Sequence, residues 1–440
     1  MPPVIERLPM KLFSLFCGLC LCLAGQVAEA GPKIEHWVAD SGARVFFVEN
    51  HALPILDVQV DFAAGSAYDT PKKSGLASLT HSLLDMGVQG MDETQIASRL
   101  ADLGAKLSGA TEMDRASLAL RTLSAADKRT PALDILRAVL VSPQFPTAVF
   151  EREKARSLAA LKESLTRPET IASRAFWSAL YPEHPYGLKS TPESIAALTR
   201  DELASFYKTH YTAQRASVAI VGDLSRSDAE ALAQHLTANL PHGAELSAPS
   251  EPKLPHAAEQ RIAHPAAQAH ILLGLPAIKR GDPDFFPLLV GNYSLGGGGF
   301  VSRLMKEVRD QRGLAYSVHS YFQPMAQLGP FQMSLQTKKT QANEALKVAR
   351  EVLEGFLAEG PSASELNAAK QNLMGSFPLR LDSNKKILDN LSVIGFYGLS
   401  LNYLEHYAEN IEKVTQADIK AAFSRHVKPE HLITVVVAGE

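Results

Sequence analysis

The chain has 440 residues, 46% of them hydrophobic and 21% charged, with a formal net charge of −3. That length holds two or more domains, each with its own core, and the composition is ordinary for a globular protein. It excludes a disordered chain and, with no long basic run, a nucleic-acid surface.

Residues 1–30 read as a secretory signal: Arg7 and Lys11, an apolar stretch from Leu12 to Ala24, then Ala28-Glu29-Ala30 as a small-x-small cleavage site. The apolar stretch is too short for a membrane span, so no stable anchor is expected after cleavage, and a periplasmic location follows. All three cysteines, Cys17, Cys20 and Cys22, lie in this leader, and a mature chain without it has no disulfide or thiolate.

Residues 43–49 predict a strand, and 55–62 alternate, with Leu56, Val58, Val60 and Phe62 on one face and Asp57, Gln59 and Asp61 on the other. That pattern suits an antiparallel sheet covered on one side. Residues 75–87 read as a helix with Leu76, Leu79, Leu83, Leu84 and Met86 on one side and a polar stripe of Ser78, His81, Ser82 and Asp85 on the other. Such a stripe is where a helical metal site sits. Zinc hydrolysis needs about three His, Glu or Asp ligands and a carboxylate base. Serine hydroxyls are poor ligands, and His81 alone holds no metal. Helices are predicted at 93–103, 127–140 and 146–165, strand-like sequence at 107–122, and a loop at 181–187 with prolines on both sides of His184.

The first half closes with a helix from Thr199 to His210 and a strand from Ala216 to Gly222. Thr199, Leu203, Tyr207, His210 and Gly222 have counterparts in Thr415, Ile419, Phe423, His426 and Gly439, which implies an internal duplication. The domains are therefore 31–240 and 256–440, joined by a Pro-rich linker at 241–255. In the second half, Gly296, Gly297, Gly298 and Gly299 lack the lysine of a phosphate loop and read as a flexible or closely approached turn.

The 75–87 helix resembles the metal helix of the M16 family of insulinase, pitrilysin and the processing peptidases. Its inverted motif is His-x-x-Glu-His, and here Ser78, His81 and Ser82 stand in those places. The run Phe150-Glu151-Arg152-Glu153-Lys154 resembles the start of the family's downstream ligand helix and puts Ala159 at the ligand position. All four positions are empty, so the resemblance implies a member without metal and inactive alone, and His81 reads as a partly exposed helix residue. Ser302 to Val318 is similar to the family's second-domain motif, where an Arg and a Tyr seven residues apart bind substrate beside the zinc of a facing domain. Arg309 and Tyr316 keep that separation; Arg312 does not.

The resemblance covers nearly all of the mature chain and is most specific over 288–403. It implies an α+β fold of LuxS/MPP-like type, two homologous domains each with an antiparallel sheet and helices packed on one face. It also implies the non-catalytic subunit of a periplasmic two-chain zinc metallopeptidase. A zinc-motif partner supplies the metal, Arg309 and Tyr316 contact the peptide substrate, and His184 and His319 are structural or line the chamber. The alternative is a non-proteolytic peptide-binding or scaffold protein of the same fold.

Overall fold

The computed structural model describes residues 31–243 and 248–439; the leader expected at 1–30, its cysteines and part of the linker lie outside them. The first sheet contains β1 (Glu35–Val38), β2 (Arg44–Glu49), β3 (Ile55–Phe62), β4 (Lys106–Thr111), β5 (Ala116–Leu123) and β6 (Ala216–Gly222), in the order β1-β2-β6-β3-β5-β4. The second contains β7 (Ala258–Ala263), β8 (Gln268–Ile278), β9 (Ser317–Phe322), β10 (Gly329–Lys338) and β11 (Ile433–Ala438), in the order β9-β10-β8-β11-β7. Apart from β1, the two orders superpose strand for strand. Each sheet is antiparallel except for one parallel pair, β2 with β6 and β7 with β11.

The principal helices are α1 (Leu76–Ser82), α2 (Ala126–Val141), α3 (Thr147–Ser164), α4 (Pro168–Leu180), α5 (Arg200–His210), α6 (Arg226–Thr237), α7 (Phe285–Asn292), α8 (Ala342–Glu359), α9 (Ala363–Gly375), α10 (Asn384–Tyr397) and α11 (Gln416–His426). The duplication extends to single hydrogen bonds. Thr199 caps α5 in a box with Glu202, and Thr415 caps α11 in a box with Asp418. At the other end, His210 Nδ1 lies 3.2 Å from the Ala63 carbonyl just past β3, and His426 Nδ1 lies 2.8 Å from the Ala277 carbonyl at the end of β8. The stretch 107–122 is two strands rather than one, because residues between Thr111 and Ala116 turn the chain back into a hairpin.

The helices of each half cover one face of its own sheet. The opposite face takes a helix from the other half. In the first sheet Val45, Phe47, Leu56, Val58, Val60 and Phe62 point into their own core. Phe46, Val48, Ala219 and Val221, on the reverse face, meet Ile387, Leu388 and Leu391 of α10. Reciprocally, Phe176 and Leu180 of α4 pack against Ile433, Val435 and Val437 of the second sheet. Each such side chain buried from water contributes roughly 2 kcal/mol.

The exchange buries the polar face of β3, which alternation alone marks as a solvent face. Asp57, Gln59 and Asp61 are all under one-tenth exposed. Asp61 accepts from Ser392 Oγ of α10 (2.6 Å) and from Gln59 (2.9 Å), and pairs with Arg115 at 3.3 Å. Burial still raises its carboxyl to about 6. Next to it, Asp114 in the β4–β5 turn accepts from Tyr186 Oη (2.5 Å), Tyr397 Oη (2.9 Å) and the Ala326 amide (2.8 Å). One carboxylate thus joins the first half to α10 and to the β9–β10 turn.

Candidate functional site

The expected metal helix is short. Its first turn is anchored by Asp69, which accepts from the amides of Gly75 (2.8 Å) and Ala77 (2.9 Å), with Gly75 in the left-handed region at φ +105°. The helix ends at Ser82, because Leu83 leaves helical geometry with ψ 0°, and Asp85 falls in the following turn rather than on the helical stripe.

Ser78 and Ser82 are exposed, and Ser82 Oγ donates to the Leu79 carbonyl (3.0 Å). Ala159 is exposed on α3 and offers no donor atom. His81 leans the other way: Nε2 donates to the Ser117 carbonyl of β5 (2.8 Å), and the ring covers Gly109 of edge strand β4, where a Cβ would lie 2.7 Å from that nitrogen. Burial holds His81 below the usual histidine range and raises Asp85. These residues do not fit zinc. Two positions offer only hydroxyls, one a methyl, and the single imidazole has spent a ring nitrogen on the backbone.

In the second half the glycine run packs on the equivalent edge strand, β9. Residues Tyr293–Gly297 form a π-helical turn, and a Cβ on Gly296 would lie 2.4 Å from Ser320 Oγ and 2.6 Å from its amide nitrogen. Only hydrogen fits there. Asn292 and Ser320 fasten the same contact: Asn292 Nδ2 donates to the Ser320 carbonyl (2.9 Å) and Ser320 Oγ donates to Asn292 Oδ1 (2.6 Å). Gly299, at φ +61°, then reverses the chain and turns Phe300 and Val301 outward, 71% and 68% exposed. Of the two expected glycine properties, close approach operates at Gly296 and backbone freedom at Gly299.

A second π-helical segment, Met305–Asp310, carries Arg309. Its guanidinium carbon lies 5.0 Å from the Phe300 ring centre and 5.6 Å from that of Tyr316, and Tyr316, the residue before β9, is 83% exposed. Cation–π contact on two rings restrains the guanidinium without consuming its in-plane N–H donors. Neighbouring arginines are committed: Arg303 to Glu365 (2.7 Å) and Arg312 to Glu307 (2.7 Å). The structure therefore brings Arg309 and Tyr316 together, with Phe300 as a third member that sequence spacing does not reveal.

Of the two other histidines, His184 is structural, whereas His319 is exposed on β9. His184 is buried, with Nε2 on the Ser250 carbonyl (2.8 Å) and Nδ1 accepting from the Tyr186 amide (3.2 Å). The His319 ring lies parallel to that of Tyr321 on β9, 6.2 Å away. Among the described residues, one grouping has metal-type side chains, Asp282, Asp284 and His426. The Arg425 guanidinium grips both Asp284 oxygens at 2.7 Å and holds that carboxyl below its usual range, which makes the group an ion-pair cluster.

Residues 44–191 match the family profile described as insulinase (peptidase family M16), and residues 197–373 match the one described as the peptidase M16 inactive domain. The crystal structure of the peptidase M16 inactive domain from Pseudomonas fluorescens is 38% identical and superposes with a TM-score of 0.90 over 92% of this chain and 98% of that one. The chain belongs to the peptidase M16 family. Among M16 relatives, the non-peptidase homolog YmxG of Helicobacter pylori is 26% identical over 98% of both chains. The periplasmic protease PqqL of Escherichia coli shares the fold at 16% identity, with a TM-score of 0.80 over 93% of this chain and 46% of that one. With the three ligands and the base all replaced, this is an inactive-type M16 protein.

Proposed function

We propose that this chain is the non-catalytic, substrate-binding subunit of a periplasmic two-chain M16 zinc metallopeptidase, in which Arg309 and Tyr316 complete the active site of a zinc-bearing partner. The observation that carries this reading is the contrast between the two halves. The metal helix lacks its ligands and folds His81 onto the sheet, while Tyr316 is exposed and a half-buried Arg309 is restrained beside it, next to edge strand β9.

Peptide hydrolysis develops negative charge on the scissile carbonyl oxygen. A guanidinium and a phenol held in place donate hydrogen bonds to that oxygen or to the adjacent backbone, and their placement before reaction is what lowers the barrier. These donors serve chemistry only beside an activated water, which zinc in the partner chain would supply. The peptide itself suits extended binding, because β9 is an edge strand whose outer backbone groups can pair with an added strand.

The test is a quenched fluorescent peptide library assayed with this chain, with a zinc-motif relative from the same genome, and with the two mixed. Turnover is expected only in the mixture, abolished by a chelator. Arg309→Ala should lower it roughly 100- to 1,000-fold, the range for losing an oxyanion donor, with the complex intact on size-exclusion chromatography. Full turnover with Arg309→Ala defeats the assigned role. A mixture that neither associates nor cleaves shifts the reading to a peptide-binding scaffold.

A further inference from the structure

A second cationic feature lies on the first half, away from Arg309. Lys189 follows the Pro185–Gly187 turn, and Arg174 projects from α4 toward the same loop. Arg174 Nη2 donates to the Ser190 carbonyl (2.7 Å), and Lys189 Nζ donates to the Tyr186 carbonyl (3.3 Å) while lying 5.0 Å from the Trp177 ring centre. Both side chains are half-buried. Among the described residues neither has a carboxylate partner, and the charge that acts on Lys189 is Arg174 itself. Two like charges are therefore brought together and partly removed from water without an anion, an arrangement that costs stability unless a ligand completes it.

The location gives the pair a use. Ser190, whose carbonyl Arg174 holds, abuts Gly75 at the start of α1: a Cβ on Gly75 would lie 3.3 Å from Ser190 Cβ. Ser194, four residues on, donates to the Ser74 carbonyl (2.7 Å). The cation pair thus stands on a loop fastened to the N-terminal end of the degenerate metal helix. An ammonium has three N–H donors and a guanidinium five, so each side chain keeps donors free after its backbone contact. The Trp177 ring adds an apolar wall beside them.

We infer that Lys189 and Arg174, with Trp177, form a carboxylate-binding site that holds the free C-terminus of a peptide. The choice of a peptide as carrier of the carboxylate rests on the peptide-holding part of the proposed function; the carboxylate chemistry rests on the cation pair alone. A carboxylate accepts from both cations and neutralises part of their repulsion. Lys189 reports on this directly. Burial and the Arg174 charge lower its ammonium to about 8, so a substantial neutral fraction reacts with amine reagents near neutral pH, and a bound anion must suppress that reactivity.

The experiment measures the labelling rate of Lys189 by mass spectrometry in the isolated chain, with other lysines as internal references. The probes are N-acetylated trialanine as the free acid, its C-terminal amide, and an amidated peptide with one internal glutamate. The free acid is expected to slow labelling at Lys189 at least about fivefold and the amide not at all, with protection lost in Arg174→Gln. Protection by the glutamate peptide equal to that by the free acid overturns the C-terminal assignment in favour of acidic side chains. Equal protection by acid and amide, or none by any carboxylate, overturns the site. Arg174→Lys, which keeps the charge, should retain part of the protection and guards against a variant that merely misfolds. The assay uses neither partner nor turnover, so its failure is separate from failure of the Arg309 assignment.

Discussion

Replacing Asp114 by alanine tests whether the two halves are held as one body. The substitution strands three donors at once: the Tyr186 and Tyr397 hydroxyls and the Ala326 amide, of which the Tyr186 side chain is fully buried. A buried polar group left unpaired costs about 1–3 kcal/mol, and partial access of water to Tyr397 places the sum near 4 kcal/mol. Unfolding entropy of roughly 2 cal/mol/K per residue over a chain of this size converts that to a fall in Tm of about 5 °C. Circular dichroism melts measure it, and limited proteolysis should show faster cleavage in the 241–255 segment. Asp114→Asn keeps the shape and one acceptor and should lose about half as much. An alanine variant that melts within about 1 °C of the wild type would refute the seam as a source of cohesion.

Two further outcomes follow from the geometry. Burial lowers His210 to about 4, against roughly 6.5 in an unfolded chain. The unfolded state therefore binds more protons in that window, and His210 makes stability fall as pH drops from about 6.5 toward about 4. Asp61 and Asp69, raised to about 6 by burial, act in the opposite direction over much of the same range, because there the folded state binds more protons. The readout is thus a difference: His210→Gln should lose less stability than the wild type between pH 7 and 4.5 in denaturant titrations, and parallel curves would count against it. Gly296→Ala drives a methyl into Ser320; it should cost about 1–3 kcal/mol and, by lifting the glycine turn from β9, reduce turnover of the proposed two-chain enzyme together with Arg309 variants rather than additively.

Local sequence carried much of this fold. The alternation at 55–62, the capping Thr199 and Thr415, and the paired His210 and His426 are periodic or repeated signals, and each marks its element. The sequence overextends the helix at 75–87 because the apolar spacing of Leu83, Leu84 and Met86 continues after the backbone has turned; Leu83 and Leu84 fill the core from a turn instead, and Met86 is half-buried. The burial of Asp57, Gln59 and Asp61 was not legible, since the covering helix lies more than 300 residues away and its contact depends on Ser392. Arg309 and Tyr316 are legible through a motif, whereas Phe300 is not: only the reversal at Gly299 brings its ring onto the guanidinium. The partial exposure of His81 is legible in the sequence but its contact is not: the small Gly109 opposite lets the ring settle against the sheet.

The reciprocal placement of α4 and α10 has the geometry of a domain swap within one polypeptide. Half of the chain, taken as a protomer, would carry a sheet with one bare face and one helix with nothing beneath it. Two such protomers would close by trading those helices, and this chain is that closed pair with its ends joined through 241–255. A fragment cut between residues 191 and 197, where the two family profiles meet, would therefore lose β6 from the centre of the first sheet as well as the helix that covers Phe46, Val48, Ala219 and Val221. The unit of folding is the whole duplicated chain.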